Sequence, residues 1–166
     1  AQHSVHVTNI APSNPVAELY LGESRIFRDS RGVFTVLEGD EITFWGQAED
    51  SSNDLESLNH IWKPDAEDLP ELNFSSFGER STISGVSYNT SGMHLATLQV
   101  FDDDGESTEV LIVPIQVENV APVISPITTT LGQLDEDEEF TISPQVIETG
   151  TDSERLVHCF DLDPVT

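Results

Sequence analysis

The chain repeats itself, and the repeat limits its fold more than any other feature does. Val5-His6-Val7-Thr8-Asn9-Ile10-Ala11-Pro12 returns 110 residues later as Ile115-Gln116-Val117-Glu118-Asn119-Val120-Ala121-Pro122. Both copies alternate and then stop at Asn-(Ile/Val)-Ala-Pro. Proline removes the next ladder donor and pushes the residue before it toward extended geometry, so each copy reads as a final strand running into a stiff linker. A second echo has an offset of 98: Asp40-Glu41-Ile42-Thr43-Phe44 matches Glu138-Glu139-Phe140-Thr141-Ile142. At the same offset Asp54, Leu58, His60, Trp62 and Asp65 match Asp152, Leu156, His158, Phe160 and Asp163. The offsets differ by 12, which places extra residues early in the first copy, within Tyr20 to Arg31.

The repeat gives the organisation. Residues 1–9 read as the end strand of a preceding module with its linker, 10–118 as a complete module, and 119–166 as the front half of another. The polypeptide is expected to continue at both ends.

Each module reads as all β. Val33 to Leu37, Glu41 to Trp45, Leu58 to Trp62, Ser81 to Ile83, Leu95 to Phe101 and Val110 to Val117 are short runs rich in β-branched and aromatic residues. Clusters of Gly, Asp, Asn and Ser separate most of them. His94, Ala96, Leu98 and Val100 alternate with Leu95, Thr97 and Gln99, as expected of a strand with one buried face. About seven short strands with turns between them predict immunoglobulin-like β-sandwich modules in tandem.

These residues resemble the polycystic-kidney-disease (PKD) type of immunoglobulin-like domain. Glu38-Gly39-Asp40 is similar to the family's early E-G-x turn, and Leu58 to Trp62 followed by Asp65 to its Y-x-W-D-F-G-D strand. Tyr88 with Gly92 to Gly105 resembles its Y…G-x-Y-x-x-x-L-x-V-x-D-x-x-G segment, and Asn119-Val120-Ala121-Pro122 its module junctions. Lys63-Pro64-Asp65-Ala66 departs from the D-F-G-D turn, and His60 and His94 stand where the family usually has tyrosine. The resemblance implies an extracellular spacer or interaction module appended to a larger protein. Fibronectin type III and cadherin-like sandwiches are the fold alternatives.

Charge narrows the partners. Thirty-one acidic residues against six basic ones give a net charge of −25. Such a surface repels phosphate backbones and anionic lipid, which argues against nucleic-acid and membrane-surface binding. No apolar run approaches the roughly 18 residues that span a bilayer. Cation binding and solubility in concentrated salt are the two readings of the acidity. Cys159 is the only cysteine, so no internal disulfide forms.

Calcium is the candidate ligand. In an immunoglobulin-like sandwich the second and sixth inter-strand loops share a pole with the incoming linker. Here those segments offer Asp50, Asn53 and Asp54, then Asp102, Asp103 and Asp104, with Asn9 from the linker. Calcium takes six to eight oxygens, which carboxylates and Asn carbonyls supply. Asp and Asn are equally good turn formers, and Gly105 can take a positive φ, so the same residues also read as plain turns.

The five histidines form no H-E-x-x-H spacing; His60 and His158 read as packed, hydrogen-bonded strand residues, and His94 as lying on the buried face of another strand. Without G-x-S-x-G or another nucleophile arrangement, the chain reads as a non-enzyme. Trp62 reads as the core aromatic, whereas Trp45, half exposed, reads as rim packing or as a surface for stacking on sugar. Asn73 and Asn89 begin N-glycosylation acceptor triplets.

The expected function is a structural or adhesive spacer of a secreted or cell-surface protein, in a surface layer or filament, with calcium stiffening its joints. Its partners are then neighbouring modules of the same chain, with other surface proteins or polysaccharide. One alternative is an accessory carbohydrate- or protein-binding module of a secreted hydrolase, marked by exposed coplanar aromatics. The other is a filament subunit in which residues 3–8 complete a neighbouring sandwich.

Overall fold

A computed structural model describes residues 3, 8–65, 74–125, 145–148 and 156–157. The described residues are all β: β1 (Ser13–Leu21), β2 (Ser24–Ile26), β3 (Phe34–Leu37), β4 (Ile42–Glu49), β5 (Asn59–Pro64), β6 (Phe74–Phe77), β7 (Arg80–Val86), β8 (Gly92–Phe101), β9 (Leu111–Glu118), β10 (Val123–Ile124) and β11 (Val146–Ile147). No helix is long and apolar enough to cross a membrane among them.

Two sheets make the sandwich, one ordered β2-β1-β4-β7 and the other β3-β9-β8-β5-β6. Period-two patterning decides which side chains meet between them. Ala17, Leu19, Ile42, Phe44, Ile83 and Val86 from the first sheet join Phe34, Val36, Trp62, Leu98, Val100, Val113, Ile115 and Val117 from the second. Phe44 and Trp62 touch across the gap, ring centroids 5.2 Å apart. Their closeness depends on Gly46, where a Cβ would lie 2.7 Å from Ser81 Oγ and 2.8 Å from the Trp62 ring.

Three strands depart from the sequence reading. β1 is absent from the strand runs named above, and its start, Asn14-Pro15, has the chemistry of a turn. Asn14 takes φ +51°, and the register slips between Ser13 and Val16, so the proline sits in a bulge that needs no donor. β2 folds back on β1 through Gly22, within the Tyr20–Arg31 segment. β6 is a four-residue edge strand beside β5.

The registers fix where the chain enters and leaves. Ser13 pairs with Glu49 and Asn59 with Phe101, so the incoming linker, the β4–β5 loop and the β8–β9 turn share one end, here the N-terminal pole. β9 finishes beside the start of β8, Val117 opposite Gly92, and parallel to β3, Glu118 opposite Leu37. The outgoing linker therefore leaves from the C-terminal pole. Beyond it, β10 and β11 pair as a separate two-stranded ladder. Most of the front-half module read for residues 119–166, with His158 and Cys159, lies outside the described residues, as do Asn73 and residues 4–7 of the donor segment.

Candidate functional site

The N-terminal pole is built on Asp102. It lies at the end of β8 and is 6% exposed. Its Oδ2 accepts a hydrogen bond from Asn9 Nδ2 at 2.8 Å, and its Oδ1 accepts one from the Glu106 amide at 2.8 Å. The Asp102 N–H donates to the Glu106 carbonyl, and the Asp102 carbonyl accepts from Gly105 N–H. Gly105 closes this turn at φ +91°, a conformation that needs glycine. One carboxylate thus shapes the β8–β9 turn and ties the incoming linker to it.

In the β4–β5 loop the acidic residues also organise backbone. Asp50 Oδ1 accepts from the Ser51 amide at 2.6 Å, while its Oδ2 is buried with no hydrogen-bond partner. Asp54 Oδ2 accepts from Ser51 Oγ at 2.7 Å, and its carbonyl accepts from both Ser57 N–H and Ser57 Oγ. Asn53, Asp103 and Asp104 point to solvent. The fold thus joins Asn9 to Asp102 and sets the other candidates on the same pole. Among the described residues no three His, Cys, Asp or Glu side chains are grouped so as to hold a metal ion.

The C-terminal pole has a latch the sequence reading did not single out. Glu38, 4% exposed, accepts a hydrogen bond from the Val120 amide at 3.4 Å through Oε2, and its own N–H donates to the Glu118 carbonyl. Gly39, at φ +79°, donates its N–H to the Tyr88 carbonyl. A Glu within a Gly-Asp turn was the available signal, but its burial depends on β9 arriving beside β3. Asn89, an acceptor-triplet residue, is half-buried between β7 and β8.

The histidines divide. His94 Nε2 lies 2.8 Å from the Thr90 carbonyl, Nδ1 lies 3.7 Å from Asp65, and the ring rests against Tyr88 at 4.7 Å. His60 corrects the expectation that it is hydrogen-bonded. It is fully buried, and neither ring nitrogen makes a hydrogen bond of good geometry, the Ser76 backbone being only a weak polar contact. Burial pushes its pKa below the usual 6.5, against a smaller opposite pull from the Ser76 backbone. Tyr88 is buried with its hydroxyl unpartnered, and burial, then Asp65, raise its pKa.

No family model matches the chain, and no curated protein matches it. Among solved structures it is similar to the PKD domain of an M14-like peptidase from a Thermoplasmatales archaeon, at a TM-score of 0.45 and 11% identity. The match covers 66% of this chain and 98% of that domain.

Proposed function

We propose that this chain is a non-enzymatic structural module of a larger secreted or cell-surface protein, a PKD-like spacer that carries the polypeptide from one end of a β-sandwich to the other. The observation that supports this reading is the pair of latches. The incoming linker is held at one pole by Asn9 on Asp102, and the outgoing linker at the opposite pole by Val120 on Glu38. A module held at both ends sets the direction of its neighbours, which a rod in a surface layer or filament requires. Residues 1–9 and 119–166 then belong to the adjoining modules, and Asn73 and Asn89 are the positions for glycan on a secreted chain.

Calcium is the second part of the proposal. The residues that would hold it are Asn9, Asp50, Asn53, Asp54, Asp102, Asp103 and Asp104. Bound there, it would neutralise the acidic pole and stiffen the joint, the cation taking the place of the Asn9 N–H on the Asp102 carboxylate. The unpartnered Asp50 Oδ2 supplies one free oxygen in this loop.

Small-angle scattering tests the spacer. The wild-type chain should give a single narrow maximum dimension, and Asp102→Ala combined with Glu38→Ala a broader distribution. A wild-type profile already as broad as the variant's would sink the reading. Calcium is tested separately by thermal unfolding at fixed ionic strength with magnesium as control. A calcium-specific rise in midpoint that Asp102→Ala abolishes is expected, and equal effects of the two ions would remove calcium from the account.

A further inference from the structure

The chain has six basic residues against 31 acidic ones, yet two of the six meet on one small surface. Alternation along β1 and β4 turns Val16, Glu18 and Tyr20 outward beside Trp45 and Gln47. The registers set Tyr20 opposite Arg25, Glu18 opposite Trp45, and Gln47 opposite Arg80. Val16, Glu18, Tyr20, Trp45, Gln47 and Arg80 line an open notch of about 410 Å³ on the outer face of the sheet, with Arg25 just outside it. That volume falls within the roughly 300–1,000 Å³ of small-molecule sites.

The notch has an uneven charge. Glu18 is already answered, by Arg25 at 2.8 Å and by the Tyr20 hydroxyl, which donates to it at 2.7 Å. Arg80 lies over the Trp45 ring, 5.2 Å from its centroid, and no carboxylate pairs with it among the described residues. A guanidinium stacked on an aromatic face is held in place while the N–H groups along its edge stay available to grip an oxyanion with two bonds. The Tyr20 and Trp45 rings, 6.0 Å apart and tilted by 53°, make an angled aromatic wall beside it. With Arg25 and Glu18 cancelling, Arg80 leaves the notch positive on a chain of net charge −25.

We propose that this notch binds an acid-bearing sugar residue of a polysaccharide. The sugar carboxylate pairs with Arg80, the C–H face of the ring lies against Trp45 and Tyr20, and Gln47 bonds a hydroxyl. Charge complementarity selects the acid group. The aromatic wall favours a sugar ring over an extended peptide, because Trp45 and Gln47 rise from β4, which is paired on both sides, with β1 and β7. The acidic remainder of the surface repels long polyanions, so recognition resides in a short oligomer. The two rings are tilted by 53°, not coplanar as expected of an accessory carbohydrate- or protein-binding module, so the acid group on Arg80 carries the recognition. This site goes beyond the spacer reading and does not depend on either latch.

The test is a fluorescence titration of the full chain, in which Trp45 reports and the buried Trp62 does not. The probes are oligomers of galacturonate, alginate and hyaluronan. At least one should saturably shift the emission, and its methyl ester should bind at least tenfold more weakly. Arg80→Gln should lose at least tenfold in affinity with an unchanged unfolding midpoint, and Arg80→Lys should fall between. Failure of all three oligomers, equal binding of the ester, or wild-type affinity in Arg80→Gln would overturn the proposal. Equal competition by an oligoglutamate peptide would overturn it too, in favour of an acidic-peptide surface.

Discussion

Strand β5 points Trp62 and His60 into the same core, two residues apart, and the two side chains meet different surroundings. At the middle of the sandwich Trp62 donates its indole N–H to Ser81 Oγ at 2.9 Å, and the close approach at Gly46 seals the contact. One step toward the N-terminal pole, His60 is buried with neither nitrogen in a hydrogen bond of good geometry, and Asp50 Oδ2 in the loop above β4 is unpartnered. The middle buries polarity only where it is satisfied. The pole leaves polar atoms unanswered and spends its best hydrogen bonds on the linker. The centre is therefore built for stability, and the pole, being less fully satisfied, is where pH or an ion has leverage.

The contrast breaks most visibly at Trp62. Trp62→Ala should cost about 3–5 kcal/mol in denaturant unfolding, because it removes the largest cross-sheet contact and leaves a cavity. Gly46→Ala should cost about 1–3 kcal/mol by overpacking the same seam. A loss under about 1 kcal/mol for both would mean the middle is not the tight region. Asp102→Ala comes next. It strands the Glu106 amide and frees Asn9, for an expected loss of about 1–2 kcal/mol and faster hydrogen exchange at Glu106. Unchanged exchange there would show that the turn stands without its carboxylate.

His60 gives the smallest effect, and one that depends on pH. Its folded-state pKa is below the usual 6.5, so the unfolded chain takes up a proton first. Wild type should therefore lose stability as pH falls through 6.5, with the loss levelling off once the folded-state pKa is passed. His60→Leu removes two poorly satisfied nitrogens from an apolar site and should be near neutral at pH 8. The stability difference between the two proteins should shift in favour of His60→Leu as pH falls toward 5. A difference independent of pH would mean that His60 is satisfied by a partner in solution.

Local sequence carried much of this fold because a strand declares its buried face every second residue. Ala96, Leu98 and Val100 in β8, and Ile42 and Phe44 in β4, were legible for that reason, and all are buried. The shared pole of the β4–β5 loop and β8–β9 turn followed from sandwich topology. β1 was not legible, because Asn14 and Pro15 carry the chemistry of a turn, and only pairing with β4 makes a bulge of them.

The alternation of apolar residues determined that this chain forms short strands, and the Asn119-Val120-Ala121-Pro122 junction determined where β9 stops. Those signals are set by backbone geometry within a few residues. Which distant groups meet was decided by the tertiary structure alone: Asn9 with Asp102, Glu38 with Val120, Trp62 with Ser81, Arg80 with Trp45. Each of these contacts depends on strand register and on how two sheets pack, and residues far apart in sequence carry no local sign of either.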